Sequence, residues 1–169
     1  MKILKVYREH MPSVKLIGKR FQNQDRDEHG TFAAYWQQSF QEGWFDILKE
    51  CKIIPGISED YLGMMRALNG MEHFEYWIGA FMAPDSQIPK GFEAADIPEG
   101  DVGICWLYGS EKGKELYSEG ASNLTMAALK ENGMMFSETG WFFERYNCPR
   151  FTAPDEQGNV ILDIGAYLK

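Results

Sequence analysis

The chain has 169 residues, 25% of them charged and 44% hydrophobic, with a formal net charge of −8. That length fits one domain whose core needs neither disulfide nor metal, and the composition is that of a folded chain rather than a disordered one. The acidic balance, with Lys19-Arg20 as the longest basic run, excludes the clustered Lys and Arg that phosphate contacts require.

No apolar run reaches membrane-spanning length. The stretch Met1-Lys2-Ile3-Leu4-Lys5 is too short in apolar length for a signal peptide. Cys51, Cys105 and Cys148 are unevenly spaced and read as reduced thiols. The expectation is a cytoplasmic, soluble protein that contacts neither membrane nor nucleic acid. His10, His29 and His73 do not cluster, so no metal and no cofactor is expected.

In chain order, Val14 to Phe21 has strand character, with Gly18 marking a bulge or a close backbone approach. Asp25 to Gly30 is a charged turn. Thr31 is the expected N-cap of a helix running to Lys49, because Phe32, Tyr35, Trp36, Phe40, Trp44, Ile47 and Leu48 recur at helical spacing. Tyr61 to Arg66 and Phe74 to Met82 are expected strands, with a turn at Asn69-Gly70. Phe92 to Ile97 and Val102 to Tyr108 follow as strands. The polar segment from Ser110 to Glu119 has room for a short helical turn. Ser122 is the expected N-cap of a second long helix that ends at Gly133. Trp141 to Tyr146 and Val160 to Tyr167 close the chain as strands, joined by a loop from Pro149 to Gly158. Strand-helix-strand-strand thus occurs twice, dividing the single domain into halves of about 1–97 and 98–169. The class expected is α+β with a largely antiparallel sheet.

The run Trp141-Phe142-Phe143-Glu144-Arg145-Tyr146 carries the chemistry. Alternate side chains of a strand share a face, so Phe142, Glu144 and Tyr146 point one way and Trp141, Phe143 and Arg145 the other. With the first face inside, Glu144 is a carboxylate walled by rings. It must then find a partner or take up a proton. Arg20 and Arg66 are candidate partners in a purely structural ion pair; a ligand is the alternative. Trp106 and Tyr108 share a strand face with Ile104. Ile104 reads as core, and the two rings as either core or pocket lining. Trp36 and Phe40, one helical turn apart, have the same two readings. The nine methionines fill core or form a deformable wall. Cys105, on a central strand, reads as an inert buried thiol.

Three blocks resemble the GyrI-like, or bacterial effector-binding, domain family. Leu16-Ile17-Gly18-Lys19-Arg20-Phe21 resembles its first strand. Pro89-Lys90-Gly91-Phe92-Glu93 with Asp96-Ile97-Pro98-Glu99-Gly100 resembles its "P-x-G-F-E … I-P-x-G" connection. Phe143-Glu144-Arg145-Tyr146 resembles its "F-E-x-Y" strand. The ending Trp-Phe-Phe-Glu-Arg-Tyr-Asn-Cys-Pro-Arg-Phe resembles that of standalone members related to integron-associated effector-binding proteins.

The resemblance implies duplicated strand-helix-strand-strand modules (the SHS2 duplication) forming one curved, largely antiparallel sheet with two helices and a pocket between the halves. It implies that Glu144 faces that pocket and receives lipophilic cations, with Trp106, Tyr108, Phe142, Tyr146, Trp36 and Phe40 as lining. Some standalone members hydrolyse strained, cyclopropane-containing natural products, which makes Glu144 a general base under that reading. One member inhibits DNA gyrase, and a protein partner or homodimer is a third expectation. The strand pattern starts at Val14 without a helix-turn-helix before it, so direct transcriptional regulation is not expected from this chain. The leading expectation is a standalone protein that senses or sequesters small hydrophobic or cationic molecules.

Overall fold

Two sets of antiparallel strands, each carrying helices, organise the protein in the computed structural model, which describes residues 1–68, 73–146 and 148–169. The turn expected at Asn69-Gly70 lies outside the described residues. The chain divides into two compact units. A central unit runs from Pro12 to Glu99, and a bipartite unit joins Met1–Met11 to Gly100–Lys169.

In the central unit the strands are β2 (Val14–Gln22), β3 (Tyr61–Leu68), β4 (His73–Met82) and β5 (Glu93–Ile97), after β1 (Lys2–Met11) of the other unit. They lie in the order β3-β4-β2-β5, every pair antiparallel. Gly18 stands directly opposite Gly79 in the β2–β4 ladder. A Cβ on Gly79 would lie 2.2 Å from the Ile17 carbonyl oxygen, and one on Gly18 2.4 Å from that of Ile78. Of the two readings of Gly18, close backbone approach is the one realised.

The helix expected from Thr31 to Lys49 is two helices, α1 (Ala33–Gln41) and α2 (Trp44–Lys49). Gly43 between them adopts φ 65°, a left-handed conformation that ends one helix and redirects the chain into the next. Phe32, Trp44, Phe45 and Leu48 all pack against Ile17, Tyr76, Ile78 and Ala80 of the sheet.

The bipartite unit holds β1, β6 (Gly100–Ser110), β7 (Trp141–Tyr146) and β8 (Asn159–Tyr167), with α3 (Glu119–Glu131) and the four-residue α4 (Pro149–Thr152). Its strand order is β1-β6-β8-β7, again antiparallel. The expected helical turn is a 3-10 turn at Glu115–Tyr117. The cap of α3 is Ser118, not Ser122: its hydroxyl accepts from the Ala121 amide at 3.2 Å. Ser118 wins because that turn already brings the chain to an extended residue there (φ −89°, ψ 160°), the geometry an N-cap requires. Gly133, at φ 71°, ends α3 as expected.

The duplication is topological. Taking each module as first strand, helix, second strand, third strand, both units place them in the order second-third-first. Each then adds one outer strand beside the first: β5 beside β2, and β1 beside β6. The first eleven residues therefore belong with the second half of the chain, contrary to a division near residue 97. β1 itself is not announced by alternation. A register shift between Ile3 and Lys5, a bulge at Leu4, breaks the period of two.

Candidate functional site

The register of the bipartite unit fixes which side chains share a face. Glu144 stands opposite Ile164, and Ile164 opposite Cys105. Residues directly opposite in an antiparallel ladder lie on the same face. That face carries α3 and the 3-10 turn: Leu107, Leu162 and Ile164 pack with Leu116 and Ala121, and Cys105 and Ala166 with Leu129. Glu144 therefore belongs to the helix-bearing face. Phe142 packs against the second of these clusters and Tyr146 against the first, so the expected trio of Phe142, Glu144 and Tyr146 is brought together.

The Tyr146 hydroxyl donates to Glu144 Oε2 at 2.7 Å. Behind it, the Phe151 ring of α4 meets the Tyr146 ring edge to face, with centroids 4.9 Å apart and planes at 82°. Glu144 is partly accessible, yet the surrounding protein excludes enough water to push its pKa up to about 7, a rise the Tyr146 hydrogen bond opposes. Arg20 is taken up by Glu93 in the central unit at 2.8 Å. Tyr117, in the turn before α3, has its phenol pKa raised by burial and then by the charges of Glu111 and Glu144. A carboxyl near half ionisation at neutral pH, with rings on its strand and a phenol within electrostatic reach, has two chemical uses. It can receive a cation in exchange for a proton, or act as a general base.

Trp106 and Tyr108 do not belong to this wall. Trp106 stands opposite Asp163, which stands opposite Arg145, and so lies on the reverse face of the sheet. Its ring already has Lys5 Nζ and the Arg150 guanidinium carbon each 4.7 Å from the centroid. Tyr108, on the same reverse face, donates to Asp155 Oδ2 at 2.6 Å and accepts from Asn159 Nδ2 at 2.9 Å. It clasps the loop between α4 and β8. Placing these two rings beside Glu144 therefore needs correction. Each strand's alternation is as expected; the ladder β6-β8-β7, which couples the two alternations, sets them on opposite faces.

Trp36 and Phe40 lie on α1 of the central unit. Trp36 Nε1 donates to the Tyr76 hydroxyl at 2.8 Å, and its ring stacks on Phe45 at 6.0 Å. Phe40 is 59% exposed, and its ring lies tilted 5.6 Å from Phe45, 6.1 Å from Tyr61 and 6.2 Å from Trp36 by centroids. Trp36 is thus anchored from behind, and Phe40 displays its ring to solvent. Phe151 and Tyr117 join the surroundings of Glu144 without having been expected there. Pro149 at the first position of a helix is the one signal that marks α4.

No family model matches the chain, and no curated protein matches it. Solved structures do. A bacterial transcription regulation protein from Staphylococcus aureus MU50 superposes with a TM-score of 0.68 at 17% identity, covering 98% of each chain. SAV2435 bound to tetraphenylphosphonium gives 0.69 at 15% identity, covering 98% of this chain and 94% of that one. The EcmrR C-terminal domain gives 0.61 at 15% identity, covering 100% and 99%. At such identities the likeness shows a common fold, and it spans these proteins almost end to end. The fold is the α+β architecture with antiparallel strands expected from the sequence.

Proposed function

We propose that this protein is an effector-binding protein of the GyrI-like kind. Glu144 receives lipophilic cations, with Tyr146 and Phe142 beside it and Tyr117 at its rim. One observation carries the reading. Glu144 sits where burial sets its charge against the ordinary carboxylate state, with the Tyr146 hydroxyl as its hydrogen-bond partner among the described residues. An acid so placed is held ready for a positive charge supplied from outside. Each ring face that meets the guest adds cation–π attraction of about 0.5–2 kcal/mol. Charge and flatness, rather than directional hydrogen bonds, then select the guest, so compounds of varied skeleton are accepted.

The fold neighbour solved with tetraphenylphosphonium supports this class of ligand. Trp36 and the exposed Phe40 of the central unit offer aromatic surface of the same chemical character. The protein acts by sequestering such compounds or by presenting its bound state to another component.

Titration with tetraphenylphosphonium at pH 8, followed by tryptophan fluorescence, tests the reading. Binding is expected for the wild type. Glu144→Gln, which keeps the shape and removes the charge, is expected to weaken it about tenfold or more, the range of a partly desolvated charge–charge contact. Equal affinity for the two proteins would overturn the role given to Glu144.

A further inference from the structure

The helix α4 has only four residues, Pro149–Thr152. A single helical turn does not hold itself in water, because nucleation fixes several residues for one hydrogen bond. What holds it is visible on both sides of the sheet. Arg150 reaches to the reverse face, where its Nε lies 3.2 Å from Asp163 Oδ1 and a terminal nitrogen 2.8 Å from Oδ2. This is a two-point fork on a carboxylate that is 0% exposed. The same guanidinium lies over the Trp106 ring at 4.7 Å. Arg145 approaches Asp163 from β7 at 3.9 Å. The next residue along α4, Phe151, turns to the helix-bearing face and backs the Tyr146 ring. Tyr146 in turn donates to Glu144.

We infer that Arg150 is a positioning residue for the Glu144 site: its fork onto Asp163 anchors α4, α4 holds Phe151 against Tyr146, and Tyr146 is thereby held on the carboxyl. The inference rests on reading Glu144 as the ligand acid. The path is a chain of contacts from a buried ion pair on the reverse face, through one helical turn, to the helix-bearing face of the sheet. The Trp106 ring, which has no part in walling Glu144, gains a role here as the flat surface that orients the guanidinium. The titratable groups near Glu144 are Tyr146 of its own strand, which donates to it, and Tyr117 before α3, which feels its charge. Those acting around Asp163 are Arg145, Arg150 and Tyr7. Releasing the fork therefore leaves the immediate charges of Glu144 unchanged and alters only how firmly Tyr146 is held on it.

The test follows the Glu144 carboxyl directly, by carbon-13 NMR of glutamate-labelled protein, with Glu144→Gln identifying the resonance. The wild type is expected to titrate with a midpoint of about 7. In Arg150→Met the loosened α4 no longer seats Phe151 behind Tyr146, the hydrogen bond that keeps the Glu144 pKa down is lost, and the midpoint is expected to rise by about half a pH unit or more. Arg150→Lys, which keeps one charged contact to Asp163, is expected to recover part of the difference. Phe151→Leu leaves the fork intact and removes the ring behind Tyr146; it is expected to raise the midpoint likewise, and it decides the matter if Arg150→Met does not fold. An unchanged or lowered midpoint in a folded Arg150→Met, or in Phe151→Leu, overturns the inference. Tetraphenylphosphonium titration of the same samples separates the two claims. Midpoints that shift as described in a wild type that binds no cation would refute the proposed function and leave the positioning role standing.

Discussion

Replacing Glu144 by Gln should stabilise the ligand-free protein, and should do so in a pH-dependent way. Burial lifts the Glu144 pKa from 4.5 to about 7. Between those values the folded protein holds a proton that the unfolded chain has lost. Stability therefore falls as pH rises through that window and levels off above it. This is the reverse of an ion-paired carboxylate, whose contribution is lost on acidification. The interval of about 2.5 pH units corresponds to about 3 kcal/mol at 1.36 kcal/mol per unit. The Gln side chain keeps an oxygen to accept from Tyr146 and removes the titration. Urea unfolding of both proteins, without ligand, measures the outcome. Glu144→Gln is expected to gain about 2–3 kcal/mol more at pH 8 than at pH 5, with an unchanged denaturant slope. An equal effect at both pH values, or a loss at pH 8, would refute the reasoning, because it would mean that the folded carboxyl ionises as readily as an exposed one.

Other substitutions separate binding from folding. Tyr146→Phe removes the hydrogen bond that holds the Glu144 pKa down; the midpoint of cation binding is expected to move above the wild-type value, so that affinity is lost at pH 7 and regained by pH 9. Phe40→Ser, at a ring 59% exposed, is expected to change stability by less than about 0.5 kcal/mol, measured by urea unfolding. Tyr108→Phe loses the hydroxyl between Asp155 and Asn159 and is expected to cost about 1 kcal/mol of stability with cation affinity unchanged, as its position on the reverse face requires. Gly79→Ala places a Cβ 2.2 Å from the Ile17 carbonyl oxygen; because the obstacle is backbone in a central ladder, a loss of about 2 kcal/mol or more is expected in thermal or urea unfolding.

The strands that alternate cleanly or are rich in aromatics were legible in the sequence, and so was the grouping of Phe142, Glu144 and Tyr146 on one face, because side-chain parity is a property of a single strand. The relation of that face to Trp106 and Tyr108 was not. It depends on the register of β6 and β7 against β8, and nothing within either strand records which residue will stand opposite which. The same holds for β1: its first residues carry a bulge, and its partner β6 lies some ninety residues on, so neither period nor neighbourhood reveals it. The single expected helix from Thr31 to Lys49 shows a different limit. The apolar spacing continues smoothly across Gly43, and only its left-handed φ divides the stripe. Tyr117 and Phe151 escaped notice because each sits in a short polar segment with no period to read. Their effect on Glu144 arises from packing. Cys105, by contrast, follows its reading closely: it is 0% exposed, and burial pushes its thiol pKa to about 11.

The most direct test is to count the protons that leave when a permanent cation arrives. Calorimetric titration with tetraphenylphosphonium at pH 6, in buffers of different ionisation enthalpy, yields that number. An acid with a pKa of about 7 is about nine-tenths protonated at pH 6 and must ionise to hold the guest, so release of about 0.9 proton per cation bound is expected, falling to about 0.1 at pH 8. Binding with no proton release at pH 6 would contradict the account, since the cation would then be held by something other than Glu144.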